Sequence, residues 1–399
     1  MAENFPSNPQ ENFEADAEAR AAVEPAESPR QRWRPDWPLV GFMLAVKSLL
    51  FLFGVQAYHL LSNHTPGGLY GWLEIWNRWD APHYLDLARD GYTNVGNQRL
   101  WLVFYPLYPW TVRAFGYLFT WGNFLVASLL VSCLASVACG LLLKRLAGLD
   151  DPEPVARMSV VFLFIFPTSY FLHAPYTESL FITLVLACFL AARTRRWPLA
   201  GLLGALACLT RVNGLILIPA LAVEAFTQYR QTKRVDARWL FIALAACGFL
   251  GYLLLNKSVA GDWFAFSKIA REHWGKELTW PWVGIGAIAE NAAWRTTSEA
   301  QLVVLQEYLF LLLGLVWTVW CWVKLRPSYG VWMTLNWLLW TSTSFILSTP
   351  RYVLVMFPAY VLLARLAARR PLWGAAVAVW SLLFLALFVG QYVRGEWAF

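Results

Sequence analysis

The amino-acid sequence predicts an all-α polytopic membrane protein. Of its 399 residues, 58% are hydrophobic and only 14% are charged, whereas about a quarter of the residues of a soluble domain are charged. The apolar residues form repeated runs that are long enough to cross a bilayer as helices. Most basic residues fall in the short segments between these runs, so the net charge of +7 does not indicate a nucleic-acid partner. Membrane lipids are the expected surroundings.

Residues 1–36 are predicted to form a disordered cytoplasmic tail, because they are mostly polar, partly acidic and free of long apolar runs. Three arginines precede the first span, at about 38–61, and the positive-inside tendency places the tail in the cytoplasm. Residues 62–120 then form an extracytoplasmic loop whose interrupted aromatic stretches predict interfacial helices. The whole of 37–399 is interpreted as one transmembrane domain.

About eleven spans are expected in total, because alternating basic loops then all fall on the inner face. The later spans are placed at about 123–143, two within 158–192, two within 198–226, then 240–255, 301–323, 331–347, 353–366 and one ending near 389. Residues 256–301 form a second extracytoplasmic loop. Polar residues and proline break the two long runs, although each run could instead be one kinked helix.

This topology carries four polar groups to the outer face. They are Asp80 with His83; His173, Tyr176 and Glu178; Arg211 with Asn213; and Arg351 with Tyr352. Ionisable groups at membrane depth are costly and normally pair with one another or line a polar cavity. We therefore hypothesise that the four groups form a single site.

Asp80 is the candidate catalytic residue, and a plainer structural role stands beside it. Asp80 precedes an amphipathic helix with Pro82 in its first turn, so the carboxylate could simply cap that helix. It could also act as a general base on a hydroxyl, while Arg211 and Arg351 hold a phosphate. Either arginine could instead be a snorkelling residue at a span end.

The neighbouring polar residues leave similar alternatives. His83 could orient Asp80, bind an acceptor or be a solvated neighbour, and Glu178 could be a second functional carboxylate or a helix cap. The sequence has no HExxH or DxD motif and no histidine–carboxylate set with firm ligand spacing. We therefore expect neither a divalent metal nor another cofactor.

Residues 78–92 resemble the pattern R-W-D-x-x-H-[FY]-L-x-x-A-x-x-G-Y of the PIG-V family of membrane mannosyltransferases. Residues 104–109, 174–179 and 210–214 resemble its later blocks in the same order. The Arg351-Tyr352 turn resembles wider members of the GT-C superfamily. The resemblance implies a GT-C-type fold with its active site on the extracytoplasmic or lumenal face, in the plasma membrane of a prokaryote or the endoplasmic reticulum of a eukaryote.

The resemblance also implies transfer of mannose, with inversion, from a polyprenyl-phosphate donor to a lipid-linked or glycan hydroxyl, with Asp80 as general base. The candidate substrate-binding residues are Arg78, Trp79, His83, Tyr84, Tyr105, His173, Tyr176, Glu178, Arg211, Asn213, Arg351 and Tyr352. A lipid-linked-sugar transporter is the main alternative, but the two broken runs follow directly on one another, whereas transporters have broken helices at matching positions of two halves. A non-catalytic assembly subunit is a third possibility, and the sequence names no partner subunit.

Overall fold

A computed structural model describes residues 36–292 and 297–399, and helices dominate both ranges. The described residues contain no strand, only one isolated antiparallel bridge between Leu278 and Thr343. The all-α prediction is therefore confirmed. The predicted tail lies outside the described residues, except for its last residue, Asp36.

The helices alternate between long spans and short connecting segments. In chain order they are α1 (Trp37–Ser62), α2 (Gly68–Glu74), α3 (Ala81–Asp90), α4 (Leu107–Phe119), α5 (Phe124–Ala147), α6 (Glu153–Phe164), α7 (Glu178–Arg193), α8 (Trp197–Cys208), α9 (Leu217–Thr232), α10 (Leu244–Ala260), α11 (Ala265–Trp274), α12 (Pro281–Ala292), α13 (Thr297–Lys324), α14 (Pro327–Thr341), α15 (Thr349–Val353), α16 (Pro358–Arg369) and α17 (Pro371–Arg394). Short 3-10 turns precede α9 and α10, at Val212–Ile216 and Ala237–Ala243.

Several of these helices identify an integral membrane protein. Six helical segments of the described chain are long and apolar enough to cross a bilayer. They are α1, α5, α9 with its 3-10 turn, α10 with its 3-10 turn, most of α13, and α17. The other predicted spans correspond to the shorter helices α6, α7, α8, α14 and α16, so the total of about eleven stays a prediction.

Both broken apolar runs are pairs of separate helices, not single kinked ones. The first pair, α6 and α7, is separated by a segment that contains Pro167 and the 3-10 turn Ser169–Leu172. The second pair, α8 and α9, is separated where Arg211 becomes extended, with φ −159° and ψ 151°. Gly214 then passes so close to α8 that an added Cβ would lie 2.4 Å from the Cys208 nitrogen. Only glycine fits this approach.

A buried lysine in α1 supports the first of these breaks. Lys47 is 6% exposed, and its Nζ donates a 2.9 Å hydrogen bond to the carbonyl oxygen of Leu172. A chain that leaves helical geometry within a membrane protein exposes carbonyl groups that need new donors. Lys47 supplies one of them, a role that the sequence prediction missed.

Three ion pairs join helix ends on the side of the fold that lies away from Asp80. Arg193 pairs with Asp150 at 2.7 Å, Arg365 with Asp151 at 2.7 Å, and Arg326 with Glu224 at 2.9 Å. Glu224 also accepts a 2.8 Å hydrogen bond from the Ser328 hydroxyl. Arginines of the basic loops that are predicted to lie on the inner face are thus also packing partners. The orientation of the protein in the membrane stays a prediction.

Short helices fill the connection between α1 and α5, where interfacial helices were predicted. Helix α3 buries Ala81, Tyr84, Leu87 and Ala88, whereas Leu85 is half-buried. Arg113 of α4 fastens the end of α3 by donating to the carbonyl oxygens of Ala88 (2.6 Å) and Arg89 (2.8 Å). These bonds satisfy carbonyls that a helix C-terminus leaves free, and they fix α3 in place.

Candidate active site

Asp80 directly precedes α3, but its side chain does not cap that helix. The carboxylate accepts no hydrogen bond from the first turn of α3, and the backbone is helical, with φ −74° and ψ −20°. The helix-cap alternative for Asp80 is therefore wrong. Instead, Asp80 Oδ2 accepts a 2.8 Å hydrogen bond from Arg351 Nη1, and the Asp80 side chain keeps 33% of its surface exposed.

The backbone on either side of Asp80 is held in an unusual shape. Trp79 has φ +58°, in the left-handed region that non-glycine residues rarely occupy. The Tyr176 hydroxyl stabilises this turn by accepting a 3.2 Å bond from the Asp80 N–H and donating a 2.9 Å bond to the Arg78 carbonyl oxygen. Strained residues of this kind persist only where their surroundings hold them, and here they aim the Asp80 carboxylate at Arg351.

Glu178 lies at the centre of the site and is completely buried. Its Oε1 accepts a 2.5 Å hydrogen bond from Arg351 Nε and a further hydrogen bond from Arg211 Nη1. The helix-cap alternative for Glu178 is not what the structure shows, because its carboxylate is occupied by the two arginines. Asp80, Glu178, Arg211 and Arg351 form one connected group, the charge cluster, whose formal charges cancel. Pairing is what allows charges to be buried at all.

Aromatic rings and a second buried acid position Arg351. Its guanidinium lies 4.6 Å from the Tyr176 ring centre and 4.9 Å from that of Phe171, which are cation–π distances. The Glu307 carboxylate accepts 2.7 Å bonds from the backbone N–H groups of Ser348 and Thr349, at the start of α15. Glu307 thereby fixes the turn that carries Arg351. The sequence prediction missed it, although an acid within the apolar run of α13 was a usable signal.

Lys276 contributes a further cation beside the charge cluster. Its Nζ donates a 2.9 Å hydrogen bond to the Tyr352 hydroxyl. Burial raises the pKa of Tyr352, but Lys276 and the two arginines outweigh that effect, so the pKa of this phenol is lowered overall. No carboxylate of the described residues lies within 4 Å of the Lys276 Nζ, unlike the two arginines. Lys276 could not be singled out from the sequence, because charged residues are common in its loop.

His83 does not orient Asp80 through a hydrogen bond. Its ring lies 4.9 Å from the Trp101 ring and 5.5 Å from the Phe104 ring, and among the described residues its Nδ1 is buried without a hydrogen-bond partner. Burial lowers the pKa of His83, against the opposing effect of Asp80 and Asp86. A neutral imidazole at the edge of the site is therefore expected near pH 7.

Three other candidate residues pack close to the charge cluster without pairing with it. Tyr84 is buried, with its ring 6.1 Å from that of Tyr176. Arg78 Nε donates a 3.3 Å bond to the Val393 carbonyl oxygen. Trp79 Nε1 donates a 3.2 Å bond to the Glu396 carbonyl oxygen. Arg78 thus attaches the Asp80 turn to the end of α17, and Trp79 attaches it to the segment that follows α17.

The structure places the remaining three candidates elsewhere. The His173 ring lies 4.4 Å from Trp76, and its Nε2 has no hydrogen-bond partner in the described part of the chain. Asn213 Nδ2 donates a 2.7 Å bond to the side-chain oxygen of Asn336. The Tyr105 ring stacks 4.0 Å from that of Tyr252. These contacts join neighbouring segments of the fold, and none of them is a contact with the charge cluster. Within the described ranges, no group of three or more His, Cys, Asp or Glu side chains is placed to hold a metal ion.

The chain is similar to several known proteins. A family model described as Mannosyltransferase (PIG-V) matches residues 68–290. The mouse (Mus musculus) GPI alpha-1,6-mannosyltransferase 2 is 34% identical over 159 residues, which cover 37% of this chain and 31% of the mouse protein. Among solved structures, ArnT from Cupriavidus metallidurans bound to undecaprenyl phosphate is similar, with a TM-score of 0.49 and 15% identity over 90% of this chain and 75% of that chain. The Archaeoglobus fulgidus oligosaccharyltransferase in its apo form has a TM-score of 0.44 and 13% identity, over 90% of this chain and 56% of that one.

Proposed function

The chain belongs to the PIG-V mannosyltransferase family, and we propose that it transfers a mannosyl group from a polyprenyl-phosphate donor to a hydroxyl of a lipid-linked or glycan acceptor. The observation that carries this proposal is the contrast between two carboxylates. Glu178 is fully buried, while Asp80 keeps 33% of its side chain exposed. Since a general base must reach the hydroxyl it deprotonates, Asp80 is the carboxylate of the charge cluster that a substrate can meet.

The reaction is a single displacement at the anomeric carbon. The acceptor oxygen attacks C1 of the mannose from the face opposite the phosphate, and the acceptor proton passes to an oxygen of Asp80. The bond between C1 and the phosphate oxygen breaks, and its electron pair leaves with the polyprenyl phosphate. One displacement inverts the configuration at C1, so a β-linked donor gives an α-linked product.

The charge balance of the site supports a donor that carries a phosphate. The two carboxylates and two guanidiniums of the charge cluster cancel, whereas Lys276 adds a positive charge at the hydroxyl of Tyr352, the residue after Arg351. The nearby acid Glu307 is already engaged by two backbone N–H groups. The donor is a phosphodiester with one negative charge, and a second develops on its phosphate as the bond to C1 breaks. Cations that are already in place stabilise such a developing charge. We assign this task to Arg351 and Lys276, with Arg211 fixing Glu178 beneath them.

The donor phosphate would also compete with Asp80 as a partner for Arg351. In the structure, Arg351 Nη1 donates a hydrogen bond to Asp80 Oδ2, so one oxygen of this carboxylate is already engaged by a cation. A phosphate that draws this guanidinium toward itself would free Asp80 for the acceptor proton. Donor binding and activation of the base are then coupled through one arginine. The active site is proposed to face the extracytoplasmic or lumenal side.

The transfer reaction itself is the test of this function. Purified protein in lipid nanodiscs is incubated with polyprenyl-phosphate mannose, labelled in the sugar, and a mixture of lipid-linked and glycan acceptors. The expected result is labelled acceptor with an α-mannosidic bond, identified by NMR. Labelled donor that crosses a proteoliposome membrane without any transfer would instead assign the protein as a transporter, and no turnover of any kind would favour a non-catalytic subunit.

A chelator is expected to leave the transfer rate unchanged. In the proposed site, guanidinium and ammonium groups stabilise the charge of the phosphate, and no metal takes part. Rates with excess EDTA and with added Mg²⁺ or Mn²⁺ should therefore agree within about two-fold. A rate that collapses in EDTA and returns with one metal would contradict the proposed charge arrangement.

Lys276→Met is expected to weaken use of the donor. Charged hydrogen bonds contribute about 1.5–3 kcal/mol, so kcat/KM for the donor should fall by about 10–100-fold, with a loss in kcat as well as a rise in KM because the phosphate gains charge in the transition state. Lys268→Met is the matched control, because Lys268 lies on the preceding helix α11 and pairs only with the exposed Asp262. Equal donor kinetics in the two variants would remove Lys276 from the phosphate site.

A further inference from the structure

Apart from the charge cluster, a polar cleft lies along the opposite face of α3. Its volume is about 520 Å³, within the range of roughly 300–1,000 Å³ that small-molecule sites occupy. Pro82, Asp86 and Arg89 supply its α3 wall, at the three-to-four-residue spacing of one helix face. Helix α2 and the turn before α5 close the other sides, with Glu74 and Trp121 among their contributions.

The charges of this cleft do not suit a phosphate. Glu74 and Asp86 are acidic lining residues, and the one lining arginine, Arg89, is already paired with Asp86 and with Asp90, the latter at 3.1 Å. No surplus positive charge is left. The cleft therefore differs from the opposite side of α3, where Lys276 and Arg351 provide cations. A neutral ligand with many hydroxyl groups fits the lining better than an anion does.

The cleft borders the turn that carries Asp80. Asn77 precedes the Asp80 turn and Pro82 follows it, so a ligand that fills the cleft contacts both ends of the turn that carries Asp80.

Trp121 gives the cleft an aromatic platform. Its side chain is 97% exposed, and its backbone is left-handed with φ +48°, next to Gly122 with φ +84°. Two backbone hydrogen bonds of 2.9 Å hold this turn: Gly122 N–H donates to the Gly116 carbonyl oxygen, and Asn123 N–H donates to the Thr120 carbonyl oxygen. An exposed indole held in a costly backbone shape beside polar groups suits the apolar C–H face of a sugar ring.

We propose that this cleft binds the glycan part of the acceptor, as a neutral chain of hexose units. The inference rests on the proposed function and deepens it: donor phosphate and acceptor glycan occupy opposite sides of α3, and the Asp80 turn lies between them. Trp121 stacks on a sugar ring, and Asp86 and Glu74 accept hydrogen bonds from its hydroxyl groups. These residues position the acceptor and take no part in proton transfer.

Steady-state kinetics of Trp121→Ala test the inference. The KM for the acceptor should rise by about ten-fold, equivalent to about 1.4 kcal/mol, while kcat and the KM for the donor stay within about two-fold. Trp121→Tyr should restore most of the affinity, because the aromatic face is kept. Trp110→Ala is the matched control, since Trp110 is also an exposed tryptophan of this region, 43% exposed, but does not line the cleft. An unchanged acceptor KM, or a donor KM that rises in parallel, would overturn the assignment.

A direct binding measurement separates this inference from the proposed function. Saturation-transfer NMR with methyl α-mannoside and with mannose 1-phosphate needs no turnover. The neutral sugar should bind the native protein, and its signal should fall in Trp121→Ala but not in Trp110→Ala. That result would support the cleft even if no transfer were found. Equal sugar signals in all three proteins would end the proposal. A Trp121→Ala protein that only leaves the membrane or melts earlier would do the same, because Trp121 would then be an interfacial anchor.

Discussion

Asp80→Asn is expected to slow mannosyl transfer by about 10²–10⁴-fold, the usual contribution of a general base. Asparagine has the same shape and can still accept a hydrogen bond from Arg351, but it cannot take the acceptor proton. Because the Asp80 side chain is partly exposed and makes no cap to α3, the melting temperature should stay close to that of the native protein. The measurement is kcat with labelled donor at saturating acceptor, alongside thermal unfolding in the same detergent.

Asp90→Asn is the matched control for that experiment. Asp90 ends the same helix, its side chain is 41% exposed, and it pairs with Arg89 at 3.1 Å. It should transfer mannose at the native rate to within about two-fold. An Asp80→Asn protein that transfers as fast as this control would exclude Asp80 as the base. One that fails to fold would return Asp80 to a purely structural role.

The sequence predicted where polar residues interrupt the membrane spans but could not predict which of them meet. Hydropathy and proline positions locate the breaks near Pro167 and Arg211, because these are properties of single segments. The partners of Glu178, in contrast, are Arg211 and Arg351, which lie 33 and 173 residues away. Such pairs depend on how helices pack side by side, and the spacing of one segment does not encode that.

The errors in the predicted site have the same origin. Tyr105 and His173 lie in motif-like stretches, but helix packing turns them toward Tyr252 and Trp76. Glu307 and Lys47 were missed, although both are ionisable residues within apolar spans, where burial demands a partner. A search for such residues would have found both. Lys276 had no comparable signal, because only the folded chain brings it to Tyr352.

Glu178→Ala is expected to destabilise the protein by about 3–5 kcal/mol, the cost of breaking a buried ion pair by removing one partner. The Glu178 side chain is completely buried, and it neutralises two guanidiniums, those of Arg211 and Arg351. Its removal leaves Arg211 without a carboxylate and Arg351 with Asp80 alone. The effect is measured as the free energy of unfolding in detergent, or as the fall in melting temperature.

Glu153→Ala shows what an exposed ion pair contributes in the same chain. Glu153 is 56% exposed and pairs with Lys144 at 2.6 Å and Arg157 at 2.8 Å, so its loss should cost at most about 1 kcal/mol. If Glu178→Ala cost as little, water would have to reach the buried guanidiniums, and the site would be an open cavity. If it kept its melting temperature but lost donor binding, Glu178 would belong to the substrate site. If Glu178→Ala is destabilised while Asp80→Asn stays stable, the two carboxylates have separate roles. Glu178 then holds the cations of the charge cluster in place, and Asp80 is left for the acceptor proton.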